Sequence, residues 1–270
     1  IRAAQQRHQQ RADRGQQDQG REHRQPAHGA PIPATSGSPS PAISPAMPTR
    51  PSFSPKNSQV ASATSKGMAE AMITDMATAF ARGDSELARS VIQRDAEVNA
   101  LETRLEREIT RLLALRQPVA QDLRGVIAAL KVSNDLERIG DLAKNVCKRL
   151  IAMGEEHGAT GQKSVERMSR AVRLQLNTVL DAYATQNAQE AIDVWQHDEE
   201  IDEHYNSMFR EVLTYMMEDP RKISQGAHLL FIAKNLERIG DHCTNIAEVV
   251  HFFVTGEDMP MARPKLPDLE

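Results

Sequence analysis

Apolar residues recur at spacings of three and four along most of the chain after residue 67. One such series consists of Leu87, Val91, Ile92, Val98, Leu101, Leu105, Ile109, Leu112 and Leu113. This spacing matches the helical period of 3.6 residues per turn and predicts amphipathic α-helices. The period-two alternation, bounded by turn residues, that is typical of β-strands does not occur in this region. The pattern therefore predicts an all-α fold.

Prolines and glycines divide this region into six predicted helices. Only Pro118 and Pro220 interrupt it, and each fits the first turn of a long helix, where the missing N–H is not needed. A break at Gly83-Asp84 precedes the second helix, and the fifth helix is predicted to run from about residue 188 to about residue 217. Because each proline opens the last long helix of a group of three, we expect two tandem three-helix bundles with short connections.

An internal repeat supports this division. Residues 135–145 read DLERIGDLAKN and residues 235–245 read NLERIGDHCTN, with seven of eleven positions identical at an offset of 100. Upstream, QRDAEVNALE aligns with QHDEEIDEHY at an offset of 103. A repeat of this length is too long for a solenoid and indicates a duplicated bundle. The predicted organisation is a tail at 1–57, a first unit at 58–157, a second unit at 158–258 and a C-terminal tail at 259–270.

The repeated helices carry rows of acidic and amide side chains. Residues four apart on a helix differ by only about 40° in direction, so such pairs share one face. We expect antiparallel connections to bring each pair of neighbouring rows together. The rows are Asp95/Asn99 on the second helix and Glu137/Asp141 on the third, and Asp198/Asp202 on the fifth and Glu237/Asp241 on the sixth.

Such rows predict a cation site. Like charges four apart destabilise a helix by about 0.2–0.5 kcal/mol, and burial raises the cost further. A bound cation relieves this repulsion, and oxygen-only ligands suit Mg, Mn, Ca or Fe. Gly140 and Gly240 lie beside the rows, where a glycine permits close approach of another backbone or a ligand. The alternative is that the carboxylates face solvent and pair with Arg138, Arg238 and Lys144, but the duplication of LERIGD favours a shared site.

The doubled LERIGD motif, each copy preceded by an acidic helix, resembles the PhoU family over about residues 68–255. Members of this family carry Glu/Asp-x-x-x-Asp on the helices of two three-helix bundles. The motif maps onto Glu137/Asp141, Asp198/Asp202, Glu237/Asp241 and Asp95/Asn99, with asparagine in place of the second acid in the last pair.

The resemblance implies a regulator rather than an enzyme. It suggests a cytoplasmic, metal-binding, often homodimeric protein that links the ATPase of a phosphate ABC transporter to a phosphate-sensing histidine kinase. Such a protein represses the phosphate regulon when phosphate is plentiful and reaches the membrane only through its partners. The implied cofactors are Fe, Zn, Mn or Mg ions.

Charge separates the chain into two parts. Residues 1–67 hold 9 basic and 3 acidic side chains, whereas residues 68–270 hold 24 basic and 34 acidic ones. The net charge of −10 on the helical part argues against nucleic-acid binding, which needs a basic face.

The polar, proline-rich tail has too few apolar residues to form a core and is predicted to be disordered. Because the chain begins with Ile rather than Met, a misassigned start is one hypothesis for the tail, and intact mass tests it.

Two other classes of protein remain as alternatives. A ferritin-like di-metal oxidase needs Glu-x-x-His on two helices. Here Glu248-x-x-His251 occurs once, and the first repeat has no counterpart. A non-catalytic helical scaffold is the other alternative.

Cys147 and Cys243 lie among apolar neighbours and are predicted to be buried, unreactive thiols rather than a disulfide pair.

Overall fold

The computed structural model describes residues 55–116, 118, 120–154 and 161–260, and every regular element in these ranges is helical. The all-α prediction is therefore confirmed. The predicted tails lie largely outside the described residues, although the first helix begins at Pro55, inside the segment predicted as tail. The helices are α1 (Pro55–Arg82), α2 (Ser85–Arg116), α3 (Ala120–Met153), α4 (Gln162–Thr185), α5 (Ala188–Gln196), α6 (Glu199–Glu218) and α7 (Ile223–Thr255), with a 3₁₀ turn at Pro220–Lys222.

The turns between helices follow from local side-chain chemistry. Gly83 adopts a φ of 63°, which glycine tolerates, and ends α1. Asp84 then accepts a hydrogen bond from the backbone N–H of Leu87 at 2.9 Å and caps α2. In the second repeat, the side chain of Asn187 caps α5 in the same way by accepting from the N–H of Glu190 at 3.2 Å. The break predicted at Gly83-Asp84 is confirmed, and it has a counterpart 103 residues later.

The predicted fifth helix is wrong in one respect, because it consists of the two helices α5 and α6. The chain breaks at His197 and Asp198. The His197 Nδ1 atom lies 2.6 Å from the carbonyl oxygen of Asp193. The first turn of α6 is rich in acids, including Glu199 and Glu200, and negative charge favours a helix N-terminus.

The two helices that carry LERIGD pack against each other in opposite directions. A Cβ added at Gly125, near the start of α3, would lie 3.2 Å from Phe253 near the end of α7. Near the other end of α3, the guanidinium of Arg149 lies 4.3 Å from the centre of the Phe231 ring. Residue numbers therefore rise along α3 as they fall along α7, so the equivalent halves of the repeat are related by an approximate twofold axis.

One hydrophobic core runs through both repeats. It includes Leu136 and Ile139 of the first repeat and their equivalents Leu236 and Ile239 of the second, all 0–1 % exposed. Helix α1 packs against α2, α3 and α4, and α7 packs against α3, α4, α5 and α6. None of the described helices has the length and apolar character needed to span a lipid bilayer.

The two mid-helix glycines differ in the space around them. A Cβ at Gly140 would lie 3.7 Å from Met72 and Val98, which is an ordinary packing distance. At Gly240 the added Cβ would come within 3.1 Å of the Cδ1 atom of Ile201. The group that comes close to Gly240 is therefore a side chain, whereas the sequence predicts a backbone or a ligand there.

Replacing Gly140 with alanine is expected to stabilise the protein by about 0.5–1 kcal/mol, because alanine favours the helix and fits the space. The matched change Gly240→Ala should gain less or destabilise, since Ile201 must move. Urea unfolding of both variants measures the difference. Destabilisation by Gly140→Ala would contradict this account of the packing.

Candidate functional site

The first acidic row, which comprises Asp95 and Asn99 of α2 and Glu137 and Asp141 of α3, forms around a lysine. Asp95 of α2 is buried, with only 6 % of its surface exposed. Lys144 of α3 donates to its Oδ2 atom at 2.7 Å and also donates to Asp141. Asn99 lies one turn further along α2. The structure thus brings Asp95 of α2 and Asp141 of α3 together around the ammonium group of Lys144, and in the part of the chain that the structure describes no such contact joins Asn99 to them.

The pKa values in this row reflect crowded charge. Burial raises the pKa of Glu137, the neighbouring charge of Asp141 raises it further, and Asp95 on the facing helix adds to this effect. Burial alone would lower the pKa of Lys144, but its hydrogen bonds to Asp141 and Asp95 outweigh burial and raise it. Lys144 therefore remains charged and offsets part of the repulsion within the row.

The second acidic row comprises Asp198 and Asp202 at the start of α6 and Glu237 and Asp241 of α7. It has a buried carboxylate at the position equivalent to Asp95. Asp198 is 5 % exposed, and its Oδ1 atom accepts a hydrogen bond from the Gln175 amide at 3.3 Å. Lys234 donates to Glu237 at 2.7 Å. Within the described ranges, Asp95 and Asp198 are the only buried acids, and they occupy equivalent positions at the repeat offset of 103.

Burial is also the main reason that the pKa of Glu237 is raised, and the charges of Asp241 and Asp198 contribute in the same direction. The hydrogen bond from Lys234 opposes this rise without cancelling it. The charge of Asp198, at the start of α6, therefore acts on a carboxylate of α7. As in the first repeat, the predicted residues of two helices meet in one place, and Asp202 continues the row along α6.

The two repeats stabilise their buried carboxylates with different side chains. Lys144 in the first repeat corresponds to Thr244 in the second, which is neutral and donates to the backbone oxygen of Asp241 at 2.7 Å. Met72 of α1 corresponds to Gln175 of α4, and each lies beside the mid-helix glycine of its own repeat. The first row therefore uses an ammonium group where the second uses an amide.

The side-chain oxygen atoms of both rows are metal ligands of the kind that hard cations prefer. Buried oxygen atoms without a hydrogen-bond partner occur on Asp95 and Asn99 in the first repeat and on Gln175 and Glu237 in the second. Carboxylate and amide oxygens are suitable ligands for such ions. In the described part of the chain, however, no three acidic, histidine or cysteine side chains are close enough together to hold a metal ion. Binding would therefore require some of these side chains to turn.

Two important residues were not predicted as members of the site. The sequence analysis treated Lys144 only as a partner for solvated carboxylates, and it did not consider Gln175. Lys144 lies three residues after Asp141, so that contact was visible in the spacing, but its contact with Asp95 depends on how the helices pack. Gln175 stands out only as a polar residue on the apolar face of α4, where it is 8 % exposed.

Other chemically suggestive residues have separate partners. Glu248 accepts a hydrogen bond from the Trp195 indole at 3.2 Å, and the Nδ1 atom of His251 lies 3.0 Å from the carbonyl oxygen of Glu257. The single Glu-x-x-His pair therefore receives no support as part of a di-metal site. Burial raises the pKa of the Cys147 thiol to about 12 and also raises that of Cys243, as expected for unreactive thiols.

Comparison with known proteins agrees with the duplication. The family model described as PhoU domain matches the chain twice, at residues 65–150 and 165–250. The chain belongs to the PhoU family. The two matches are separated by 100 residues, the same offset that relates the two LERIGD copies.

Relatives and solved structures of the PhoU family cover most of the described part of the chain. A protein of Caulobacter vibrioides named phosphate-specific transport system accessory protein PhoU homolog is 53% identical over 201 residues, covering 74% of this chain and 87% of the relative. The Escherichia coli PhoU is 38% identical over 195 residues, covering 72% and 81%. The crystal structure of PhoU from Pseudomonas aeruginosa matches with a TM-score of 0.72 and 39% identity, covering 75% of this chain and 97% of that one.

Proposed function

We propose that this protein is an accessory regulator of phosphate transport. The observation that carries the proposal is the doubled PhoU domain, together with the close identity to relatives named as accessory proteins of the phosphate-specific transport system. A regulator acts through surfaces and bound ions, and the two buried carboxyl groups, Asp95 and Asp198, offer oxygen ligands for such an ion.

We further propose that the acidic rows bind metal ions. The support is the set of buried, unpartnered oxygens and the raised pKa values of Glu137 and Glu237, both of which a nearby positive charge would relieve. A bound ion would supply charge stabilisation between two helices and would not take part in a reaction. The ions are Fe, Zn, Mn or Mg, and the ligands are drawn from Asp95, Asn99, Glu137, Asp141, Asp198, Asp202, Glu237 and Asp241.

The partners follow from the accessory role. We propose that the protein acts in the cytoplasm, as a homodimer, between the ATPase of the phosphate ABC transporter and the phosphate-sensing histidine kinase. In this role it represses the phosphate regulon when phosphate is plentiful. The absence of a membrane-crossing helix among the described residues is compatible with contact to the membrane through these partners.

Deleting the gene is expected to activate phosphate-starvation promoters in phosphate-rich medium, because the kinase would lose its repressing partner. Reporter expression from such a promoter measures the effect. A plasmid copy of the wild-type gene should restore repression and serves as the control. Unchanged reporter expression after deletion would contradict the regulatory proposal, whatever the metal content of the protein.

A further inference from the structure

A groove of about 520 Å³ lies between α3 and α7, and its lining residue Lys234 also donates to Glu237 of the second acidic row. Four of the side chains that line it are cations: Lys148 and Arg149 come from α3, and Lys234 and Arg238 come from α7. Phe231 adds an aromatic ring that is 52 % exposed. The groove is thus basic although the helical part of the chain has a net charge of −10.

Most of this positive charge is not neutralised. Lys234 donates to Glu237 at 2.7 Å, and Arg149 lies over the ring of Phe231. Among the described residues, neither Lys148 nor Arg238 forms an ion pair or a side-chain hydrogen bond. The groove therefore presents cations that remain available to a ligand from solution.

The repeat provides an internal comparison for this charge. The approximate twofold axis places an equivalent surface at the opposite end of the α3–α7 pair, with residue numbers shifted by 100. There, Glu248 replaces Lys148 and Asp135 replaces Asn235. The shared helical architecture thus does not require a basic groove at this position. The equivalent surface keeps Arg138 and has Lys131 in place of Phe231, but its two acids offset these two cations. A net positive charge is therefore found at only one of these two equivalent ends.

We propose that this groove binds an anion containing a chain of phosphoryl groups, either an inorganic polyphosphate or the phosphates of a nucleotide. Guanidinium and ammonium groups match phosphate oxygens well, and several cations favour a ligand with several negative charges. The lining segment of α3 runs over the eight residues from Asn145 to Ala152 and so extends over about 10 Å, long enough for a phosphoryl chain. The volume lies within the range of small-molecule sites, about 300–1,000 Å³.

The ring of Phe231 allows an experiment to tell a nucleotide from an inorganic polyphosphate. An exposed aromatic ring can stack on a nucleobase, which strengthens binding by at least about fivefold per base. A nucleotide would therefore bind more tightly than inorganic tripolyphosphate and would lose that advantage in Phe231→Ala. A carboxylate-rich protein segment is the rival occupant, and a glutamate-rich peptide serves to test it.

Isothermal titration calorimetry of the full chain with orthophosphate, tripolyphosphate, ATP and the peptide tests the proposal. The double variant Lys148→Gln/Arg238→Gln is expected to weaken binding of tripolyphosphate and ATP by at least about tenfold. The matched variant Lys131→Gln/Arg138→Gln removes the same charge elsewhere on the same protein, keeps the basic tail, and should change binding less than twofold. Circular dichroism checks that all variants remain folded.

A second measurement uses the wild-type protein alone. Bound tripolyphosphate should protect Lys148 from chemical acetylation more than it protects Lys131, as detected by mass spectrometry. Three outcomes would overturn the proposal: no binding of tripolyphosphate or ATP at millimolar concentration, equal losses in the two double variants, or binding of the glutamate-rich peptide alone.

Discussion

Replacing Lys144 with threonine, the residue that the second repeat has at the equivalent position, is expected to lower the free energy of unfolding by about 3 kcal/mol at pH 7. The variant leaves Asp95 buried between two helices without its ammonium partner, and removing one member of a buried ion pair typically costs about 3–5 kcal/mol. The expected loss lies at the low end because the side chain of Lys144 is 19% exposed. Urea unfolding at equilibrium measures it.

The double variant Lys144→Thr/Asp95→Asn provides the rescue. An uncharged amide in the buried position should recover most of the lost stability, because the cost arises from an uncompensated charge. Lys131→Thr, an exposed lysine on the same helix, is the control and should change stability by less than about 0.5 kcal/mol. A loss below about 1 kcal/mol for Lys144→Thr, or no rescue by Asp95→Asn, would show that the ammonium group is not essential to the row.

The helical fold could be predicted because its evidence is local. The 3.6-residue period, the cap at Asp84 and the prolines all act within a few residues of where they stand in the sequence. The break between α5 and α6 was missed, although acidic residues after Asp198 mark a helix N-terminus. The apolar period continues across that point, and the first repeat keeps a continuous helix at the equivalent Asp95.

The candidate site was predictable in its carboxylates but not in their partners. Spacing alone places Glu137 and Asp141 on one face, and the duplication indicates that the faces are shared. The choice of Lys144 in one repeat and Gln175 in the other depends on distances between helices, which the sequence does not specify. Gln175 comes from α4, a helix to which the sequence analysis assigned no part of the site.

The second large effect expected concerns metal binding at the second acidic row. The double variant Glu237→Gln/Asp241→Asn is expected to lose at least about tenfold in affinity for Mn²⁺ or Zn²⁺, because neutral amides are weaker ligands than carboxylates. Elemental analysis after dialysis against each metal measures the bound amount. Glu203→Gln, an exposed acid on α6, the helix that carries Asp202, controls for the general loss of negative charge. Unchanged metal content in the double variant would contradict a site at these residues.

The single variant Glu237→Gln tests whether the change in stability relative to wild type reverses its sign when metal is added. In the metal-free protein the raised pKa of Glu237 means that the folded state binds a proton more tightly than the unfolded chain does. Stability therefore falls as pH rises from the ordinary carboxyl value through the folded one, and glutamine removes this loss. The variant should therefore be more stable than wild type at pH 7 without metal. With metal at about 100 times its Kd, wild type should gain about 2.7 kcal/mol and become the more stable protein. A variant whose stability relative to wild type is unaffected by metal would place the bound ion away from Glu237.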